Sequence, residues 1–512
     1  MLNESRIVTV ESTLPKAWEE SPTFNDLLYE WMGHAPWFAI SAVTHVMVFL
    51  LLAVIPWNLF DTQEETIVQA TLASVEDIIY DDPVEDLIKD VEPDEPITDP
   101  VLQDSDIVET TDDSPFDEQA FETDEPFINP FDGDNTNPII GIGGGGGGKS
   151  GNRFKRGKPR GGDPTAKPLA DGLKWLADHQ DEDGKWDSDG FMKHDPAGDR
   201  TTGPGQPEHD VGVTGLALLA FLGDGHTTRH GMYRDQVARG VKWLREQQDH
   251  ESGLIGEQIG HSFMYDHSIA TLALCEAYYF SKSPIHRGPA QRAISFVTTS
   301  RNPYGVWRYD ASPQGDNDSS VTGWMVFALK SAEESGLTID SQAFNDAITW
   351  FDEVSDPATG RVGYDGIGTA SARVTGVNSH YPTDKTETMT AVGLLCRFFL
   401  GQDPADEEIM VKHADLLLRN LPEWSNDGLT NDMYYWYYGT YAMYQMGGRH
   451  WKTWNKAMKR AVVESQRKDG AADGSWDPNG PWGFSGGRVY ATAKMSLCLE
   501  VYFRYSKLLG AR

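Results

Sequence analysis

The chain has 512 residues, 39% of them hydrophobic, and carries 43 Lys and Arg against 78 Asp and Glu for a formal net charge of -35. Such acidity excludes nucleic acid as a partner, because phosphate affinity comes from clustered Lys and Arg that displace counterions. The three cysteines, Cys275, Cys396 and Cys498, sit singly in apolar runs with no C-x-x-C pair, so the sequence contains no zinc or dithiol motif.

Residues 1–34 form a mixed, mostly acidic juxtamembrane segment that lacks the basic start of a cleavable signal peptide. From residue 35 to residue 60 there is no Asp, Glu, Lys or Arg, and 35–58 is long enough to cross a hydrocarbon core of about 30 Å. Trp37 and Trp57 stand near its ends as interfacial aromatics, and Pro36 and Pro56 bracket it. The segment reads as one uncleaved transmembrane helix. Arg6 and Lys16 precede it and no basic residue follows until Lys89, which places the N-terminus inside and the C-terminal domain on the extracytoplasmic side of the membrane.

Residues 59–166 read as a disordered linker, acidic at first and then rich in glycine and basic residues. Between 61 and 137 there are 26 Asp or Glu and one Lys, a composition that cannot bury enough apolar surface to offset chain entropy. The run GGGGGGKS at 143–150 fits the phosphate-loop pattern by letter, but no hydrophobic strand precedes it and Gly157, Pro159, Gly161 and Gly162 forbid the helix that must follow. Likewise Gly483-Phe484-Ser485-Gly486-Gly487 matches the hydrolase elbow G-x-S-x-G without the strand that the elbow needs.

Self-similarity begins at residue 167, and six helical hairpins can be read from there to residue 512. The first helices are amphipathic, around Trp175, Trp243, Phe296 and Trp350 and, in degenerate form, near Leu417 and Val463. The second helices are apolar on every face, beginning near Val213, Ile269, Val321, Met389, Tyr438 and Tyr490, and such helices are buried. Between them recurs a turn, seen as Gln180 to Gly184-Lys185-Trp186, Gln248 to Gly253, Arg301 to Gly305-Val306-Trp307 and Gln466 to Gly474-Ser475-Trp476. The alternation predicts two layers of helices. Tandem repetition alone allows either an open solenoid or a closed ring.

The glutamine-to-tryptophan turn after an aromatic-leucine helix resembles the QW motif of squalene and oxidosqualene cyclases. The chain also resembles bacterial membrane-anchored proteins with prenyltransferase and squalene oxidase repeats, a group in which no reaction is established. The resemblance covers 167–512 and implies an all-α fold, an α6/α6 toroid of the terpene cyclase and protein prenyltransferase superfamily. Cyclases of this type protonate an alkene with the middle acid of an Asp-x-Asp-Asp motif. The nearest match is Asp316-Asn317-Asp318-Ser319, so the implied catalytic residues are Asp316 and Asp318, with serine in place of the last aspartate. The Asp-x-Cys pair that holds zinc in prenyltransferases is missing.

Aligning the second helices places Asp210, Asp266 and Asp318 three residues before Val213, Ile269 and Val321. Aspartate there either caps a helix or does chemistry, and both readings stand. His209 beside Asp210, Asp266 beside His267, and Glu387 in the fourth repeat are expected at the same mouth of the ring, as ligand-binding groups or as acid and base. Tyr434, Tyr437 and Tyr441 share a helical face suited to apolar, sugar or cationic ligands, and Arg488 and Tyr490 complete the mouth. The leading function is therefore a membrane-tethered toroid that binds an isoprenoid, lipid, glycan or peptide in its central cavity. An active cyclase, transferase or lyase and a structural envelope scaffold are the alternatives. No cofactor, metal site or oligomeric state is specified.

Overall fold

The computed structural model describes residues 164–303, 305–311, 315–369, 377 and 387–504, together with His45 and Val46. The chain divides into two units, Met1–Thr110 and Thr111–Arg512, and every element below belongs to the second. Among the described residues, twelve α-helices make up six hairpins and there is no β-strand, only the isolated bridges Gln248 to Ile255 and Ser355 to Val362.

The first helices of the hairpins are α1 (Ala166–Asp178), α3 (Arg234–Glu246), α5 (Pro284–Thr299), α7 (Gln342–Glu353), α9 (Glu408–Leu417) and α11 (Gly448–Ser465). The second helices are α2 (Asp210–Gly223), α4 (Phe263–Ser281), α6 (Ser319–Ser335), α8 (Thr388–Phe399), α10 (Met433–Met446) and α12 (Gly483–Arg504). Each second helix packs on the next, and α12 packs back on α2, so these six form a closed inner ring. The first helices lie outside, α1 against α12 and α2, α3 between α2 and α4, and so on around. The domain is an α/α toroid. The apolar periodicity explains the layering: in α2 every residue from Val211 to Gly223 is buried, whereas α3 buries one stripe, Val237, Gly240, Val241, Trp243 and Leu244.

The recurring turns fasten each repeat to the next. Gln180 Nε2 donates to the carbonyls of Gly184 (2.8 Å) and Gln236 (2.9 Å), and Gln248 Nε2 to those of Gly253 (3.1 Å) and Pro289 (3.0 Å). Gln466 Nε2 reaches Gly474 (2.8 Å) and, across the seam of the ring, Pro168 (2.7 Å). Gly253 is required at its position: its φ is +83°, and a Cβ would lie 2.2 Å from the Arg292 carbonyl oxygen of the next outer helix. The indole N–H groups of Trp186, Trp307 and Trp476 donate to Leu176, Val297 and Val462 at 2.7–2.8 Å. Four of the turns are also tied to their own inner helix by a threonine. The backbone N–H groups of Trp186, Trp307, Val362 and Trp476 donate to Oγ1 of Thr214, Thr322, Thr390 and Thr492.

The membrane assignment is corrected. No helix among the described residues is long and apolar enough to cross a membrane, so anchoring by a transmembrane helix and an extracytoplasmic, single-pass placement of the domain are not supported. The span at 35–58 lies outside the described residues apart from His45 and Val46, as does the 59–163 linker with its phosphate-loop look-alike. The apolar helices that are described have a different reason to be apolar, since neighbours in two layers cover them on all sides.

Candidate functional site

The inner helices all begin at one end of the ring, and the long loops that precede them gather there. Asp318 is the N-cap of α6, its Oδ1 accepting the Val321 N–H at 2.7 Å, and it is fully buried. The adjoining Ser319, in place of an aspartate, ties α6 to the next repeat. Its N–H donates to the Tyr364 carbonyl (2.8 Å), its hydroxyl to the Gly363 carbonyl (2.8 Å), and Trp350 Nε1 donates to Ser319 Oγ (3.2 Å).

That tie brings tyrosines around the acid. Tyr265, Tyr309, Tyr364 and Tyr434 all lie within electrostatic range of Asp318; the hydroxyls of Tyr309 and Tyr364 meet, and Tyr434 Oη pairs with Ser320 Oγ at 3.0 Å. Oδ2 of Asp318 is buried and makes no direct hydrogen bond, although the Tyr364 hydroxyl is near enough to favour its ionised form. Burial pushes this carboxyl up to about 7, outweighing the Val321 N–H, the Tyr364 hydroxyl and the Arg308 guanidinium, which favour the carboxylate. Asp318 is thus a carboxylic acid through the lower half of the neutral range. Toward solvent, the exposed His261 ring stacks on Tyr309 at 4.6 Å with the planes 5° apart. Asp316 is exposed and stands apart from this cluster.

The other aspartates differ from Asp318. Asp210 is the first residue of α2 and accepts from Lys185 Nζ (2.6 Å) and the Ser188 N–H (2.9 Å). Asp266 lies one turn inside α4 and pairs with His209 Nδ1 at 3.2 Å. Burial raises the Asp266 carboxyl; it also pulls His209 down, but Asp266 more than offsets this and leaves the imidazole above its ordinary value. The equivalent cap is instead Asp432 on α10, which accepts from the Tyr435 N–H (3.0 Å) and the Thr388 hydroxyl (3.0 Å).

His267 has both nitrogens engaged. Nδ1 accepts the Ile255 N–H (3.1 Å), which leaves Nε2 to donate toward the Ala293 carbonyl (3.2 Å), and burial pushes the ring down to about 3. It does for the second turn what threonine does elsewhere. Glu387 binds Arg361 through both oxygens and accepts from Thr390 Oγ1. Arg488 is buried, donating to Asp477 (2.6 Å), Ser475 (2.9 Å) and the Thr202 carbonyl (2.9 Å). The carboxylates of Asp187, Asp189 and Asp210 lie within 4.8 Å of one another, but Lys185 and Lys193 already pair with them, and no metal assignment follows.

The inside of the ring is filled by aromatic side chains rather than left open at its middle. Trp324 stacks near Tyr434 (6.2 Å) and Tyr437 (6.0 Å), and Tyr441 packs on Phe327 and Phe399. Beside this packing Asn431, Met433, Pro478, Trp482 and Tyr490 line only a shallow cleft. Sequence reasoning missed Lys494, a lysine flanked by apolar residues on α12. Its Nζ lies 4.2 Å from the centroid of Trp324 and 4.0 Å from that of Tyr437. The signal was a charged residue within the apolar stretch of that helix, a signal that Glu500, also buried, shares. The roles of Tyr309 and Tyr364 had no such signal, because loop tyrosines are common.

No family model and no curated protein matches this chain. Among solved structures, it is similar to an inactive variant of an alpha-1,6-mannanase of a Salegentibacter species in complex with alpha-1,6-mannotriose, with 10% identity over 66% of this chain and 99% of that chain and a TM-score of 0.45. A variant of the type II terpene cyclase MstE from Scytonema, in complex with its product merosterolic acid A, gives 12% identity over 66% and 96% with a TM-score of 0.42. Cellobiose 2-epimerase from Bacillus thermoamylovorans gives 13% over 65% and 98%, also with 0.42.

Proposed function

We propose that the toroid binds an uncharged isoprenoid or glycan at the end of the ring where the inner helices begin, with Asp318 donating a hydrogen bond to it from its carboxylic acid. The observation that carries this reading is the buried, unpartnered Oδ2 of Asp318 among four tyrosines. An unsatisfied buried polar atom costs about 1–3 kcal/mol, which a ligand oxygen or π-bond at that point would relieve. The stacked His261 and Tyr309 offer an aromatic platform leading inward. Because the ring's middle is filled, the ligand sits at the mouth and not in a central cavity.

A second reading, proton transfer to the ligand, is supported by the same carboxyl, which holds its proton close to neutral pH as a general acid must. One experiment addresses both. Melting of the full-length protein is followed with polyprenyl alcohols, prenyl diphosphates, squalene and neutral oligosaccharides, and products are sought by mass spectrometry. Binding without turnover supports the first reading and turnover the second. No melting shift with any compound overturns both and favours a scaffold.

A further inference from the structure

Asp318 has no exposed surface, so no ligand reaches Oδ2 unless something moves. Outward of it stands a column of side chains from three successive mouth loops. Tyr364, in the loop before α8, is 2% exposed, and its hydroxyl is near the carboxyl. Tyr309, in the loop before α6, is half-buried, and its hydroxyl meets that of Tyr364. His261, in the loop before α4, is exposed and stacked on Tyr309. Arg308 sits across both tyrosines. Its Cζ is 5.6 Å from the ring centroid of Tyr309 and 5.9 Å from that of Tyr364, and its Nη2 lies 3.6 Å from Asp365 Oδ2.

The two tyrosines are held differently. Tyr364 is fixed through its backbone: its carbonyl accepts the Ser319 N–H at 2.8 Å, and its own N–H donates to Thr369 Oγ1 at 2.9 Å. The same Thr369 oxygen takes the N–H groups of Asp365 (3.1 Å) and Gly366 (3.2 Å), which ties that loop together. The backbone of residues 308–311, by contrast, makes no hydrogen bond among the described residues. Tyr309 is kept in place by side-chain contacts alone, with Tyr364, His261, Tyr265 and Arg308. A segment with so few backbone hydrogen bonds belongs to the part of a fold that opens most readily, and a solvated ion pair such as Arg308 with Asp365 adds little to hold it.

Resting on Asp318 as the acid that meets the ligand, we propose that Tyr309 is the gate to it: Tyr309 turns outward with residues 308–311 while Tyr364 stays in place, and the ligand enters where the two hydroxyls had met. Closed, the pair keeps water from Asp318. Open, it leaves the ring of His261 as a face on which the incoming ligand can stack.

The test is carbodiimide-driven coupling of glycinamide to the carboxyls of the full-length protein at pH 5, located by peptide mapping. Labelling of a buried carboxyl follows the population of the open form, so Tyr309→Ala should label Asp318 at least about tenfold faster than the wild type does. Asp432, the cap of α10 and 1% exposed, is the control and should stay equally slow in both proteins. Tyr309→Phe keeps the ring and its stack on His261 but drops the hydroxyl. It should give a smaller rise at Asp318, and it carries the test where the alanine variant fails to fold. Unchanged Asp318 labelling in the folded variants overturns the proposal, and so does an equal rise at Asp432, which would mean that the whole ring has loosened. Coupling needs no ligand, so the gate can fail while binding in the melting experiment stands, and binding can fail while the gate stands.

Discussion

Replacing Asp318 with asparagine separates its structural role from its acidity. Asn caps a helix about as well as Asp, so the Val321 N–H keeps its acceptor. What changes is the titration. Folding lifts this carboxyl from an ordinary 3.8 to about 7. Between those values the folded state holds the proton and the unfolded state does not, so the wild type loses stability as pH rises from about 4 to about 7 and then levels off. At about 1.4 kcal/mol per pH step, that loss amounts to about 4 kcal/mol. Asp318→Asn, which cannot ionise, escapes it. The variant and the wild type should therefore have similar urea midpoints at pH 4.5, and the variant should be the more stable at pH 8 by up to about 4 kcal/mol. Tryptophan fluorescence during urea unfolding at the two pH values measures this. An unchanged difference between the two proteins at pH 4.5 and 8 would refute the reasoning, because it would mean that Asp318 is already ionised in the folded protein.

Three further substitutions test how the ring is held. Arg488→Met abandons Asp477, Ser475 and the Thr202 carbonyl together and should cost about 3 kcal/mol, read as a fall in melting temperature; a change within error would show that these contacts contribute little. Gln466→Ala strips a donor from the carbonyls of Pro168 and Gly474 and should cost about 2–4 kcal/mol, with faster hydrogen exchange in α1 as the seam loosens. Gly253→Ala forces a side chain onto φ +83° and against the Arg292 carbonyl, for a loss of about 1–3 kcal/mol in urea unfolding. Gly225→Ala is its control, since φ is similar, +90°, but nothing lies within 4 Å of the added Cβ.

The sequence by itself determined the twelve helices and their alternation, because that information is local. Whether a helix is apolar on one stripe or all round can be read within a dozen residues, and the Gln-to-Gly turns mark where each hairpin folds back. Asp318 was legible as well, since a cap is recognised from its place before an apolar run. Its difference from Asp210 and Asp266 was not. All three stand three residues before the aligned position, yet only Asp318 accepts the capping bond, Asp210 being held by Lys185 and Asp266 by His209. Those partners arrive from other loops, and sequence spacing does not carry their approach.

Ring closure was settled only by tertiary structure. Gln466 and Pro168 are 298 positions apart, and the same local repeat could have continued as an open spiral. The small rotation between successive hairpins, accumulated over six of them, brings α12 onto α2. The tertiary structure also decided what lies inside. A face bearing Tyr434, Tyr437 and Tyr441 suits a cavity wall or a packed core equally well in sequence. Trp324, Phe327 and Phe399 come from other helices to fill the space; burial against these rings lowers the Lys494 amine below its ordinary value, and burial elsewhere in the ring raises the Asp318 carboxyl. A charge is a property of the residue, but its ionisation in the fold depends on how much water its neighbours exclude.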